Sequence, residues 1–365
     1  MAKLRVGLLF GGRSVEHEVS LASATSILGA LDPSRYDVRL IAVDHDGRWH
    51  LATPSLPPEA SLKGTEVTLP AVPGVGAVVP TAQDAAAVAG ELDVVFPILH
   101  GRGGEDGALQ GLLELADLPY VGSGVLSSAL QMDKDVAKRL LAAAGLPVVP
   151  WQTFRGPELS RRRRGEAAER AAQSLGLPVF VKPANSGSSV GTSKAQSAAE
   201  IASALADAAR YDTKVLVEQA IDAREIEVAV LGNDNPQASV PGEIRITHEF
   251  YDYEAKYTDD EGTELVIPAP LPESESERIR QLALESFAVL DAQGMARVDF
   301  LLDRKTGELF INELNSLPGF TESSMFPRLW EASGLSYPAL VDRLLELAME
   351  RHKERSSLET SYRRG

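Results

Sequence analysis

The segment RVDFLLDRKTGELFINELNSLPG, Arg297 to Gly319, constrains the fold of this chain more than any other. Arg297, Asp299 and Leu301 alternate with Val298, Phe300 and Leu302, the period-two pattern of a strand with two unlike faces. Lys305-Thr306-Gly307 supplies a turn, and Leu309 to Asn315 returns in alternation, which predicts a β-hairpin. Side chains two apart on a strand share a face, so Arg297 projects with Asp299, and Glu313 with Asn315. Carboxylates and an amide are the oxygen donors that a hard divalent cation takes, and a guanidinium suits phosphate oxygens. Taken alone, such a face is an ordinary solvated one, because one wet side is normal in an antiparallel sheet. Other segments must supply the parts of a nucleotide site.

Leu4 to Phe10 has the apolar run of a buried strand; Gly11-Gly12 follows, and a helix starts near Glu18 and runs through Leu31. Glycine turns of this kind often hold anions, but Glu16, His17 and Glu18 come next. Carboxylates there suit a cation such as a substrate ammonium, or are surface acids at a helix N-terminus. Tyr36 to Val43 is a second strand, and residues 47–90, rich in Pro, Gly and Ala, read as a variable insertion. Leu92 to Leu99 is a third, ending in His100-Gly101-Arg102-Gly103-Gly104 ahead of a helix over Ala108 to Ala116. Loops at the carboxyl ends of parallel strands bind ligands. The loops at Gly11 and His100 are therefore expected side by side, with His100 either a ligand group or a packed histidine.

Ser127 to Ala144 predicts one helix carrying Lys134, closed by Gly145-Leu146-Pro147. Arg161 to Arg164 stand among Glu158, Glu166 and Glu169 and read as the solvated start of a helix. Pro178 to Lys182 is a strand, ANSGSSVG (Ala184 to Gly191) a loop of small residues, and Thr192 to Ala195 a returning strand. Amides of such a loop close over phosphates and Lys182 adds charge, without the glycine spacing of a Walker loop. Ala198 to Ala209 is a helix, and Val215 to Glu218 and Ile226 to Leu231 are strands. Glu218 and Glu225 near their ends are either surface acids or carboxylates placed to meet a ribose hydroxyl or a metal. Phe250 to Tyr257, FYDYEAKY, interleaves aromatics with charges before an acidic tract, the composition of a flap over a site. Ser274 to Leu290, Glu322 to Ala332 and Tyr337 to Met349 are helices, with fraying from about Lys353.

Lys+Arg 36 against Asp+Glu 52, a net charge of -16, argues against general affinity for nucleic acid or anionic membranes, so phosphate binding has to be local. With no cysteine there is no disulfide, thiolate metal site or cysteine nucleophile. The first apolar run stops at the glycine pair, too short for a transmembrane helix, and a cytoplasmic protein is expected.

Five segments together, GGRSVEHEVS, LHGRGGEDGALQGLLELADLPYVGSG, VKPANSGSSVG, FYDYEAKY and RVDFLLDRKTGELFINELNSLPGFTESS, resemble the D-alanine–D-alanine ligases of the ATP-grasp superfamily, over about Val6 to Met349. The resemblance implies an α/β (α+β) protein of the ATP-grasp fold. An N-terminal parallel-sheet α/β domain over residues 1–133, with the variable insertion at about 47–90, would bind substrate. Two ATP-grasp subdomains with antiparallel sheets would follow over 134–219 and 220–365, with ATP between them. It also implies the reaction, in which ATP phosphorylates one D-alanine carboxylate and the amine of a second D-alanine attacks the acylphosphate. Chemistry of this kind depends on positioning and charge neutralisation.

By matching position, Lys134, Lys182, Ser188, Glu218, Ile221, Glu225 and Lys256 would contact the nucleotide, and Asp299, Glu313 and Asn315 would hold two magnesium (or manganese) ions. Arg297 and the Gly319 amide would stabilise the acylphosphate and the tetrahedral intermediate. Glu16 would take the first D-alanine's ammonium, Ser324 would help bind the carboxylate of the second, and His100 would line the substrate site. Glu16, Ser188 and Tyr257 would close the flap by hydrogen bonds. Tyr257 also favours an amine over D-lactate as second substrate. A homodimer is common among such ligases. D-serine or D-lactate as second substrate, an inactive nucleotide-binding regulator, and a carboxylate kinase are the competing expectations.

Overall fold

The computed structural model describes residues 2–52, 64–81, 90–246 and 263–359, which form three sheets. β1 (Leu4–Gly11) leads into α1 (His17–Ala30) and returns as β2 (Tyr36–Val43), parallel to it. β3 (Trp49–Ala52), β4 (Thr65–Thr68), β5 (Ala77–Pro80) and β6 (Gly90–Glu91) then precede β7 (Val94–Ile98). The order β6-β5-β4-β3-β2-β1-β7 puts β1 between two parallel neighbours, where Leu8 opposes Leu40 and Phe96. Val6, Leu8 and Phe10 enter one core and Leu9 the other, so the apolar run is continuous because both faces are covered.

The described parts of the expected insertion at about 47–90 form strands of the first sheet. β3 to β6 pair antiparallel and widen the sheet, with Val67 and Val78 buried. Strands of two to four residues are too short to show alternation in sequence. Residues 53–63 and 82–89 lie outside the described residues.

After α2 (Ala108–Leu115), the expected single helix from Ser127 to Ala144 is two, α3 (Val125–Met132) and α4 (Lys134–Ala143). Asp133 breaks it with φ -86 and ψ 94 and caps α4 by accepting from the Val136 amide at 3.1 Å. A second, antiparallel sheet comprises β8 (Trp151–Arg155), β9 (Val179–Pro183), β10 (Ser193–Ala195) and β11 (Lys214–Gln219), in the order β10-β9-β11-β8. The alanine faces of α5 (Arg164–Leu175) and α6 (Ala198–Ala208) pack on it, and Arg161 to Arg163 are exposed before α5, as expected.

The third sheet holds β12 (Ala223–Gly232), β13 (Gln237–Ala238), β14 (Gly242–Ile246), β15 (Thr263–Val266), β16 (Gly294–Asp303) and β17 (Leu309–Asn315). Its order is β15-β14-β12-β16-β17 with β13 on β12, all antiparallel, and α7 (Glu273–Val289) lies against it. α8 (Met325–Ala332) and α9 (Tyr337–Ser356) close the chain. They share one core with β1, β2, β7 and α1, so the last helices cover the first sheet. The expected fraying from Lys353 is corrected: α9 runs to Ser356, held by Arg355 to Glu114 and by His352 to Asp117.

Candidate active site

The expected hairpin forms with one change that decides its use. Asp299 pairs with Glu313 and Arg297 with Asn315, but Phe300 pairs with Ile311, which leaves Asn312 as the extra residue of a β-bulge. Below the bulge Leu309 and Ile311 enter the core; above it Leu314 does. Unbroken alternation, as the sequence suggests, would have put Glu313 and Asn315 on the core side with Ile311. The bulge turns both onto the face of Arg297 and Asp299.

On that face Arg297 donates through Nε and Nη2 to Asp299 at 2.7 Å each, and Asn315 Nδ2 donates to Asp299 at 2.9 Å. Arg297 Nε also lies 3.0 Å from Glu227 Oε2, and Lys134 Nζ lies 3.1 Å from Glu313. Burial works against the Arg297 charge, yet Asp299 and Glu227 hold its pKa well above the ordinary value. Asp299 and Glu313 are directly opposite across the strands, a like-charge pair that is unfavourable unless cations attend it. Arg297 and Lys134 fill that role. The donor set also fits a divalent cation, since three oxygen-bearing side chains converge from adjacent strands.

The second sheet faces this hairpin with its lysines. Lys182 Nζ lies 2.7 Å from Glu218 Oε2 and 3.4 Å from the bulge side chain, Asn312 Oδ1. Burial opposes the Lys182 charge, but Glu218 and Glu313 outweigh it and raise its pKa; Lys138 and Lys182 outweigh the same burial effect at Glu218 and lower its pKa. Glu225 is half-buried and adds to the charge around Lys182, and Ile221 is half-buried in the connection between β11 and β12.

Lys134 opens α4 because Asp133 caps that helix and pairs with Lys214 of β11, fixing the helix start against the second sheet. The Lys134 amide donates to Ala184 O at 3.0 Å and its Nζ to Ser186 O at 2.8 Å, so helix and serine loop are fastened together.

The loops at Gly11 and His100 do lie side by side. Glu16 precedes α1, is 7% exposed, and accepts a hydrogen bond from Ser188 Oγ, so two members of the expected trio meet. Ser188 and Ser189 have φ of 48° and 57°, a left-handed pair that costs non-glycine residues about 1 kcal/mol each. Side chains at Gly101 or Gly187 would come within 3.0 and 2.9 Å of Glu16 Oε2, so these glycines keep the carboxylate's surroundings open. His100 is buried, with Nδ1 donating to Leu317 O at 3.0 Å. Burial lowers its pKa, and burial with Glu16 nearby pushes Glu105 up to about 8.

Beyond the hairpin, Ser324 Oγ accepts from the Thr321 amide at 3.1 Å and stands beside Gly319, where an added Cβ would meet it at 3.2 Å. Phe320, buried against Phe96, Phe326 and Tyr337, anchors this loop to both the first sheet and the closing helices. Lys256 and Tyr257, with the expected flap, lie outside the described residues. Sequence reasoning missed Glu227, Glu105, Lys138 and Asn312. Glu227 had a signal, since it shares a strand face with Glu225; the other three are defined only by packing.

Residues 5–123 match the family described as "D-ala D-ala ligase N-terminus" and residues 140–346 the one described as "D-ala D-ala ligase C-terminus". The chain belongs to the D-alanine–D-alanine ligase family. It is 50% identical to D-alanine–D-alanine ligase A of Salmonella typhimurium and 48% to that of Escherichia coli K12, each alignment covering 99% of this chain and 100% of the relative. Among solved structures, the ligase from Coxiella burnetii superposes with a TM-score of 0.83 at 38% identity, covering 97% of both chains. The VanG D-Ala:D-Ser ligase from Enterococcus faecalis gives 0.84 at 33% identity, over 95% of this chain and 100% of that one. These ligases have the ATP-grasp fold, the class expected from the sequence. No helix among the described residues is long and apolar enough to cross a membrane.

Proposed function

We propose that this chain joins two D-alanines into D-alanyl-D-alanine at the expense of ATP, for peptidoglycan synthesis, at the cleft between the second and third sheets. The observation that carries the siting is the convergence of Lys182 from the second sheet, and of Lys134, which reaches the serine loop, on the hairpin of Arg297, Asp299, Asn312, Glu313 and Asn315. ATP would bind there, with Lys182 and Lys134 placed to meet its phosphates and Glu218, Ile221 and Glu225 to meet its adenosine. Asp299, Glu313 and Asn315 would hold two magnesium (or manganese) ions, which would supply neutralisation of phosphate charge.

Glu16, held by Ser188, receives the first D-alanine's ammonium, and an oxygen of that D-alanine's carboxylate would bond to the γ-phosphorus as the bond to ADP breaks, giving the acylphosphate. Arg297 then meets the charge that develops on the acylphosphate. The deprotonated amine of the second D-alanine adds to the carbonyl carbon of the acylphosphate, the Gly319 amide accommodates the oxyanion, and its collapse expels inorganic phosphate and leaves the amide, while Ser324 binds the second carboxylate. Lys256 and Tyr257 complete the enclosure from the flap. A homodimer in the cytoplasm is the expected setting.

Incubating the protein with ATP, magnesium and D-alanine, D-serine or D-lactate, singly and paired, tests this by product mass. The expected product is D-alanyl-D-alanine with equimolar ADP. ADP release independent of D-alanine, or stable acylphosphate without dipeptide, would overturn the proposal.

A further inference from the structure

Outside the groups already assigned, His17, Glu18 and His45 bring potential ligand atoms within 4.8 Å of one another, but His17 is stacked on His45 at 4.0 Å and its Nδ1 already meets Gly12 O at 2.9 Å. Lys138 offers more. It lies within α4, is 1% exposed, and stands 5.9 Å from the Trp151 ring. Its Nζ is 3.3 Å from Glu218 Oε1, off the direction of a hydrogen bond, while Lys182 Nζ is 2.7 Å from Glu218 Oε2. Glu218 is 2% exposed, so one buried carboxylate is held between two ammonium groups.

Charge decides what this arrangement does. Glu218 and Lys182 alone make a neutral pair, and Glu313 and Glu225 add negative charge around Lys182. A lysine so surrounded has little net field for an incoming phosphate. Adding the Lys138 ammonium behind Glu218 offsets that carboxylate, so the site is one positive charge richer than with Glu218 and Lys182 alone, in a place where solvent does not screen it. We propose that Lys138 is a positioning residue of the nucleotide site: it engages Glu218 from inside the protein so that the Lys182 charge remains available to phosphate. The proposal rests on ATP binding at this cleft.

The test is the ratio of ATP to adenosine affinity, measured by calorimetry on the full chain. Lys138→Met should lower that ratio about tenfold through loss of a nearby charge, with adenosine binding little changed. Lys138→Arg should keep it, and the double variant Lys138→Met/Glu218→Gln should recover it, because the carboxylate competing for Lys182 is then gone. Equal weakening of ATP and adenosine, or no recovery in the double variant, would show a merely structural lysine and overturn the proposal. If the Lys138→Met chain does not fold, Lys138→Gln takes its place: the ratio should again fall, and an unchanged ratio refutes the role of Lys138. Wild-type protein that binds neither compound would instead refute ATP binding at the cleft.

Discussion

Asp299 accepts hydrogen bonds from Arg297 and from Asn315, and faces Glu313 across the strands. A carboxylate so placed is fixed in orientation before any substrate arrives, which is what positioning catalysis requires. Asp299→Asn and Glu313→Gln should each lower kcat by roughly 100-fold or more, by removing a charge that faces metal and phosphate. Melting temperatures should stay within a few degrees of wild type; near-full ADP release in either variant would contradict a metal-holding role for these carboxylates. Glu105 gives a pH signature. Its folded pKa of about 8 lies above the ordinary 4.5, so the folded protein keeps a proton that the unfolded chain gives up. Stability should fall as pH rises from about 4.5 to about 8, and Glu105→Gln should flatten that part of the melting temperature profile. An unchanged slope would count against a protonated Glu105.

The hairpin works because of its bulge. Strand β17 begins with Leu309 and Ile311 in the core, and without Asn312 as an unpaired extra residue Glu313 and Asn315 would follow them inward. Deleting Asn312 should therefore force a register choice between burying Ile311 and presenting Glu313, at a cost of several kcal/mol for an unpaired buried carboxylate. The deletion chain is expected to unfold at markedly lower denaturant and to lose dipeptide synthesis, whereas Asn312→Ala, which keeps the residue count, should retain the fold. An active, stable deletion chain would show that the bulge does not set the facing of Glu313. The break at Asp133 acts in the same way on a helix: it starts α4 where Lys134 can reach both Ser186 and Glu313.

Chain ends meet in the assembled molecule. Arg351 of α9 is 7% exposed, donates to the carbonyls of Gly122 and Tyr120, and lies 4.3 Å from the centre of the Tyr120 ring. It ties the closing helix to the loop that follows β7 and α2. Arg351→Ala would leave two carbonyls without a donor and should cost about 2–4 kcal/mol in urea unfolding. Arg351→Lys should recover only part of this, since an ammonium lacks the planar fork and the stacking. A change below about 0.5 kcal/mol would show the contact to be incidental.

Most elements were legible in the sequence, because β1, β2, β7 and the helices announce themselves by local periodicity and glycine stops. Lys182, Glu218 and the hairpin residues could also be singled out, since each sits at a recognisable element boundary or on an alternating face, whereas Lys134 lay inside an expected unbroken helix and was marked only by the resemblance. What local pattern could not carry was register and partnership. The hairpin's polar face was visible in Arg297 and Asp299, but which way Glu313 and Asn315 turn depended on pairing with β16, which closes the ladder at Phe300–Ile311 and leaves Asn312 out. Lys138 looked like any helix lysine until packing removed it from water and set it against Glu218. Sequence by itself determined which groups the chain brings to a nucleotide; tertiary structure decided their facing and their charge balance, because both follow from contacts between residues far apart in the chain.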